Sequence, residues 1–140
     1  MVGICFGHQV IAQALGGRVV KHDGGWIVGP EAYGLEGLGD ITLNAWHQDQ
    51  IVELPEDARV VGTANGCAFP ALVYGDHIYT LQPHPEITPA YMDDLIDVRG
   101  PGIVPASLLD DAKSRQGVEL DAGRLAEHIA KFFMMRRRHG

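Results

Sequence analysis

Gly3-Ile4-Cys5-Phe6-Gly7-His8-Gln9 decides how the rest of this chain is read. It has the form G-x-C-x-G and runs straight into Gln9-Val10-Ile11-Ala12-Gln13-Ala14-Leu15, a helix-like run that stops at Gly16-Gly17. The same spacing with serine is the nucleophile elbow, a sharp strand-to-helix turn that holds the nucleophile out of the sheet. Glycines at 3 and 7 suit such a turn, because a side chain at either would crowd backbone against backbone. A cysteine at the apex gains from the helix N-terminus below it, whose partial positive charge favours thiolate over thiol. The N–H of Phe6, first after the apex, would point at a developing oxyanion. Taken alone, the pattern also fits a small buried cysteine between two turn glycines.

A second motif lies far along the chain. Ile78-Tyr79-Thr80-Leu81 reads as a strand and leads into Gln82-Pro83-His84-Pro85-Glu86. A nucleophilic cysteine needs a base, and the base needs an orienting partner. His84 and Glu86 are two apart, so in extended chain they project to the same side. The prolines at 83 and 85 bias their neighbours towards that geometry. With these two motifs in this order, the sequence resembles the class I glutamine amidotransferases, whose domains combine a G-x-C-x-G elbow with a late H-P-E.

The resemblance implies an α/β fold of the flavodoxin-like kind, an open, mostly parallel sheet with helices on both faces. It makes Cys5, His84 and Glu86 the catalytic nucleophile, base and orienting acid. Gln9 matches a family glutamine that contacts substrate. In Trp46-His47-Gln48-Asp49, the spacing of His47 and Asp49 matches a family pattern at a strand end, where backbone groups at the equivalents of Trp46 and His47 hold the α-amino and α-carboxyl ends of glutamine. Phe6 N–H supplies one oxyanion donor. Pro83 departs from the family, which usually has a bulkier aromatic or glycine there. The motifs look most like stand-alone members that resemble the amidotransferase part of GMP synthase. Some of these act as γ-glutamyl peptidases, by the same thioester with a larger amine leaving group.

Only Met1-Val2 precede the elbow, whereas family members carry several strands and helices there, with a glycine-bearing loop that completes the oxyanion hole. Residues 1–140 therefore read as the C-terminal portion of a single amidotransferase domain, missing its N-terminal strands. The missing part is either truncated or supplied by another chain. The expected substrate is glutamine or a γ-glutamyl compound. The expected partner is that N-terminal segment or a synthetase subunit, since the chain shows no ATP-binding motif. A non-catalytic fragment or regulatory binding subunit is the alternative from another class.

Composition narrows the classes. At 140 residues the chain is one domain at most. A hydrophobic share of 46% with 21% charged residues is a globular balance rather than a disordered one. The net charge of −7 argues against nucleic acid, because phosphate binding wants a basic surface. No apolar run approaches bilayer length and no signal peptide is visible, so the expected location is cytoplasmic. Nothing resembles H-E-x-x-H or C-x-x-C, so neither metal nor cofactor is expected. Cys67 reads as a packing residue. His8 reads as a helix-start residue that caps or faces solvent, and His22, His128 and His139 as surface residues.

Between the motifs the chain is β-rich. Strands are expected at 18–21, at 26–28 ending on Gly29-Pro30, at 41–46 and at 59–64, with Glu31–Leu38 ambiguous. Ala71-Leu72-Val73-Tyr74 and 77–81 flank Gly75-Asp76, which reads as a two-residue hairpin that delivers His84. Thr88-Pro89 opens a helix that runs through Leu95-Ile96 and breaks at 99–102. A short helix follows at 105–116, with Ala106, Leu109 and Ala112 on one side. Asp121 reads as the N-cap of a final helix, whose Leu125, Ala126, Ile129, Phe132 and Phe133 form one apolar stripe. The basic cluster Arg136-Arg137-Arg138-His139 suits its C-terminus.

Overall fold

The computed structural model of the chain describes residues 1–139, the last four by backbone alone. The side chains of the basic cluster at 136–139 thus lie outside the described residues. The elements are β1 (Val2–Ile4), α1 (Phe6–Ala14), β2 (Arg18–Lys21), β3 (Ile27–Leu35), β4 (Gly39–His47), β5 (Asp49–Glu53), β6 (Ala58–Val60), β7 (Gly62–Ala64), β8 (Ala71–Tyr74) and β9 (Ile78–Leu81). Then come α2 (Pro89–Asp94), a wider π turn at Leu95–Arg99, α3 (Ala106–Ser114) and α4 (Ala122–His139).

The strands form a four-stranded sheet of order β1-β9-β8-β6, a pair β2-β5 and a three-stranded sheet β4-β3-β7. β1 runs parallel to β9 with Ile4 opposite Leu81, and the remaining ladders are antiparallel. The α/β class holds, but the pairing is mixed rather than mostly parallel. Short turns join β3 to β4 and β8 to β9, and a short turn can only reverse direction; a parallel neighbour needs a long crossover. The long path from β1 to β9 is such a connection. Its consequence is functional: both strands end on the same edge, so the residues after Ile4 lie beside those after Leu81.

Helices cover both faces of this sheet. Along β8 and β9 the side chains alternate. Val73, Tyr79 and Leu81 pack with Leu125 of α4 and with Ile129, Phe132 and Phe133. Leu72 and Tyr74 pack on the other face with Ala12 and Ile11 of α1. The apolar stripe of α4 thus meets the sheet as its spacing predicts, with Phe132 edge-on to Tyr79 at 5.3 Å between centroids. Ala126 remains exposed.

Several local expectations change. β3 does not stop at Gly29-Pro30 but runs through the ambiguous stretch to Leu35. Pro30 is tolerated because β7 pairs only with Tyr33–Leu35, so no ladder strand needs its missing N–H on that side. Arg115 fills the vacant edge instead, donating Nη2 to the Val28 carbonyl at 3.0 Å and Nη1 to that of Pro30. The single strand expected at 59–64 is two, because at Val61 the chain leaves β8 for β3. Val61 N donates to Ala71 O at 3.0 Å, while its carbonyl accepts from Glu36 N at 2.8 Å. Tyr74 faces Ile78, so His77 belongs to a three-residue turn rather than to β9. Asp121 sits at the N-cap position of α4, its carbonyl accepting from Leu125 N at 3.0 Å, while its carboxylate Oδ2 accepts from Thr42 N at 2.8 Å and ties α4 to β4. In α3, Leu109 and Ala112 are buried while Ala106 is exposed. Thr88 caps α2, its Oγ1 accepting from Tyr91 N at 3.2 Å.

Candidate active site

The elbow is present in the backbone. Cys5 has φ 49° and ψ −98°, and it is the one non-glycine residue with positive φ among those described. An L-residue reaches such a region only when its surroundings force it, at about 1–3 kcal/mol. Two bonds hold it there: Cys5 N donates to Leu81 O at 2.7 Å, and Cys5 O accepts from Gln9 N at 3.0 Å. A Cβ on Gly3 would lie 2.7 Å from Ile11 Cδ1 and 2.9 Å from the Gly7 carbonyl carbon. Glycine is therefore required at 3. At Gly7 a Cβ would meet nothing within 4 Å, so the crowding expected on both sides exists on one. Gly7 contributes the backbone that Gly3 must approach. Phe6 opens α1, where an N–H has no intrahelical acceptor, and its side chain is exposed.

His84 arrives on the neighbouring strand end. Its N donates to Asn44 O at 2.8 Å, and Asn44 Nδ2 donates to Ile87 O at 3.0 Å. Asn44, itself buried, thus clamps the loop on both sides of Glu86. Within that loop His84 Nδ1 lies 2.6 Å from Glu86 Oε1. Partial burial pulls the imidazole pKa down, but the Cys5 sulfur, as hydrogen-bond partner and as charge, and then Glu86 outweigh it and raise it to about 9. At neutral pH the imidazole is therefore held in its charged form, paired with the Glu86 carboxylate.

β4 crosses these strand ends. The Trp46 carbonyl oxygen lies 4.0 Å from Cys5 Sγ, and the half-buried Trp46 ring leans on Trp26 at 6.0 Å between centroids. His47 is buried and contacts the backbone of Asp49, not its carboxylate: Nδ1 lies 3.2 Å from Asp49 O. A carbonyl only accepts, so Nδ1 carries the proton. Nε2 is left buried without a partner, and burial drives the His47 pKa down to about 4. Gln9 is buried too, with Nε2 donating to Asp49 O at 2.9 Å and to Gln82 Oε1 at 3.3 Å.

Sequence reasoning missed three residues here. Gln82 is fully buried and donates Nε2 to Cys5 Sγ at 3.5 Å. Its parity with Thr80 on β9, opposite to Tyr79 and Leu81, places it on the α1 side and was the signal available. Asn44 left no signal beyond being a polar residue inside a strand. His8 neither caps nor faces solvent. It is fully buried, with Nδ1 2.7 Å from Thr80 Oγ1 and Nε2 3.0 Å from Phe69 O. Its place between Thr80 on β9 and the Phe69 carbonyl leaves it no path to water. His128 is half-buried against Tyr79, and Cys67 is buried with its thiol pushed up to about 11 by burial. A cleft of about 770 Å³ bounded by Ile96, Val104, Leu109 and Lys113 has none of these site residues in its walls.

The family model for glutamine amidotransferase class-I matches residues 1–96, the segment that carries both motifs. The chain belongs to the class I glutamine amidotransferases. Among its relatives, γ-glutamyl peptidase 2 of Arabidopsis thaliana is 31% identical over 99% of this chain and 61% of its own length. The glutamine-hydrolysing GMP synthase subunit of Methanosphaera stadtmanae is 33% identical over 62% of this chain and 51% of its own length. A crystal structure of a glutamine amidotransferase from Methylobacillus flagellatus superposes with a TM-score of 0.71, covering 96% of this chain and 61% of that one; at 21% identity this speaks for the fold. The chain spans 57–61% of the length of the curated relatives that it matches over nearly all its own length.

Proposed function

We propose that this chain carries the centre that hydrolyses the side-chain amide of glutamine through a γ-glutamyl thioester. The observation that carries the reading is the strained elbow of Cys5 held next to the His84–Glu86 pair by the parallel β1–β9 ladder. The Cys5 thiolate attacks the amide carbon, and the carbonyl electrons move to oxygen, where Phe6 N–H donates. His84, charged in the resting pair, gives its proton to the departing nitrogen, and ammonia leaves. It then takes a proton from the water that cleaves the thioester to glutamate. Glu86 keeps the imidazole oriented and compensates its charge. Gln9 and the backbone of Trp46 and His47 are assigned to the substrate's amino-acid end.

The relatives named γ-glutamyl peptidases favour a second reading, in which a γ-glutamyl amide with a larger amine takes the place of glutamine. The GMP synthase subunits among the relatives support a synthetase partner as the receiver of ammonia. Residues 1–140 are taken as the C-terminal portion of one amidotransferase domain. No described helix is long and apolar enough to cross a membrane. Both cysteines are free, which suits a reducing, cytoplasmic compartment.

The test is labelling with a chloromethyl ketone analogue of glutamine, followed by peptide mapping. Cys5 should be modified at least tenfold faster than Cys67 and protected by glutamine. Protection by a γ-glutamyl dipeptide but not by glutamine would favour the peptidase. Equal labelling of the two cysteines would refute Cys5 as nucleophile and favour a non-catalytic binding subunit.

A further inference from the structure

We propose that Gln82 is the hydrogen-bond donor that holds the Cys5 sulfur in its thiolate form, as the last link of an oriented chain of side-chain amides beginning at the Asp49 carbonyl. The proposal rests on Cys5 being the nucleophile of the proposed hydrolysis.

The direction of the chain is set at its far end. A backbone carbonyl can only accept, so the Gln9 side chain must turn its Nε2 to Asp49 O, at 2.9 Å. The same Nε2 lies 3.3 Å from the Gln82 amide. It can only donate there, so Gln82 must present Oε1. The other end of a planar amide is then Nε2, and it faces Cys5 Sγ at 3.5 Å. Turning Gln82 over would set donor against donor at Gln9 and an oxygen lone pair against the sulfur. Either mismatch, fully buried, costs about 1–3 kcal/mol. The backbone fixes the reach as well: Gln82 N donates to Pro70 O at 2.8 Å, and the pairing of Ile4 with Leu81 sets Cys5 and Gln82 side by side.

The donor matters differently in the two states of the sulfur. As a thiol, Cys5 offers its proton to the Trp46 carbonyl at 4.0 Å, a long contact. As a thiolate it has only electron pairs to offer, and a hydrogen bond to an ionised group is about twice as strong as a neutral one. Gln82 therefore favours the form in which the proton has already moved to His84. When the new S–C bond forms, negative charge leaves sulfur for the carbonyl oxygen, so the Gln82 bond weakens as the Phe6 bond strengthens. Gln82 raises the population of attacking thiolate and slightly tempers each thiolate's nucleophilicity. A residue that only filled space would do neither.

The experiment follows alkylation of Cys5 by iodoacetamide against pH, read by peptide mass, in the parent chain and in Gln82→Leu. In the variant Gln9 Nε2 keeps its Asp49 partner, so no donor group is abandoned. Loss of a bond to a charged group should move the acid limb up by about one pH unit. With a nucleophilicity exponent of about 0.4–0.5, alkylation should then be about threefold slower on the acid limb and about threefold faster on the alkaline plateau. Crossing profiles support the proposal. Profiles that coincide, or that differ by one factor at every pH, overturn it. Should the variant fail to fold, the side-chain amide resonance of Gln82 in the parent answers the same question: it must move with the midpoint of Cys5 alkylation, and a resonance that stays still overturns the assignment. If Cys5 in the parent reacts no faster than Cys67, the nucleophile reading itself falls, a result separable from either outcome at Gln82.

Discussion

Acid should unfold this protein through two histidines before its carboxylates are protonated. His8 is fully buried between Thr80 and Phe69, and burial, opposed by the Phe69 bond, lowers its pKa from 6.5 to about 4. His47 is buried likewise and also lowered to about 4. Between pH 6.5 and about 4 the unfolded chain binds a proton at each that the folded chain refuses. The contribution of these two histidines is therefore full above pH 6.5, falls as pH drops through this window, and levels off below about 4. The slope is about 1.4 kcal/mol per pH unit for each group. At pH 5 the two together remove about 4 kcal/mol, a large part of the 5–15 kcal/mol typical of a domain. Urea denaturation followed by the fluorescence of Trp26 and Trp46 at pH 7 and pH 5 measures this. In His8→Gln, whose amide can still donate to Phe69 O, the loss between these two values should shrink to about half. An equal loss in parent and variant, or none in the parent, would refute the argument.

Other perturbations test the site directly. Gly3→Ala should cost about 1–3 kcal/mol, because its Cβ would overlap Ile11 and the Gly7 backbone. Gly7→Ala, with open space around the new methyl, should be neutral or stabilising by about 0.5–1 kcal/mol; similar melting temperatures for the two would contradict the elbow packing. An NMR titration of the His84 imidazole should find a midpoint near 9 in the parent and a lower one in Cys5→Ala, where the sulfur no longer raises it. An unchanged midpoint would show that the sulfur does not act on the imidazole.

Much of the site was legible in one dimension because its parts are local. A glycine–cysteine turn before a helix, and a histidine two residues from a carboxylate in extended chain, carry their geometry within a few residues. The same holds for the α4 stripe, whose period needs no partner to be recognised. Trp46 and His47 could be placed at the end of β4 by alternation, although the bond of His47 to the Asp49 carbonyl could not.

What only the tertiary structure decided involves partners distant in sequence. Local pattern shows which side of a strand a residue faces but not what it meets there. The β1–β9 register is what sets Gln82 against Cys5, 77 positions apart, and it makes a flanking glutamine a donor to sulfur. The packing of α1 on β9 buried His8, which its sequence neighbours assigned to a helix surface. The exchange of partners at Val61 split one expected strand into two, and Arg115, just past α3, kept β3 running past a proline. In each case the deciding energy is a hydrogen bond that a buried group must make somewhere, and where it is made depends on which segment the folded chain brings alongside.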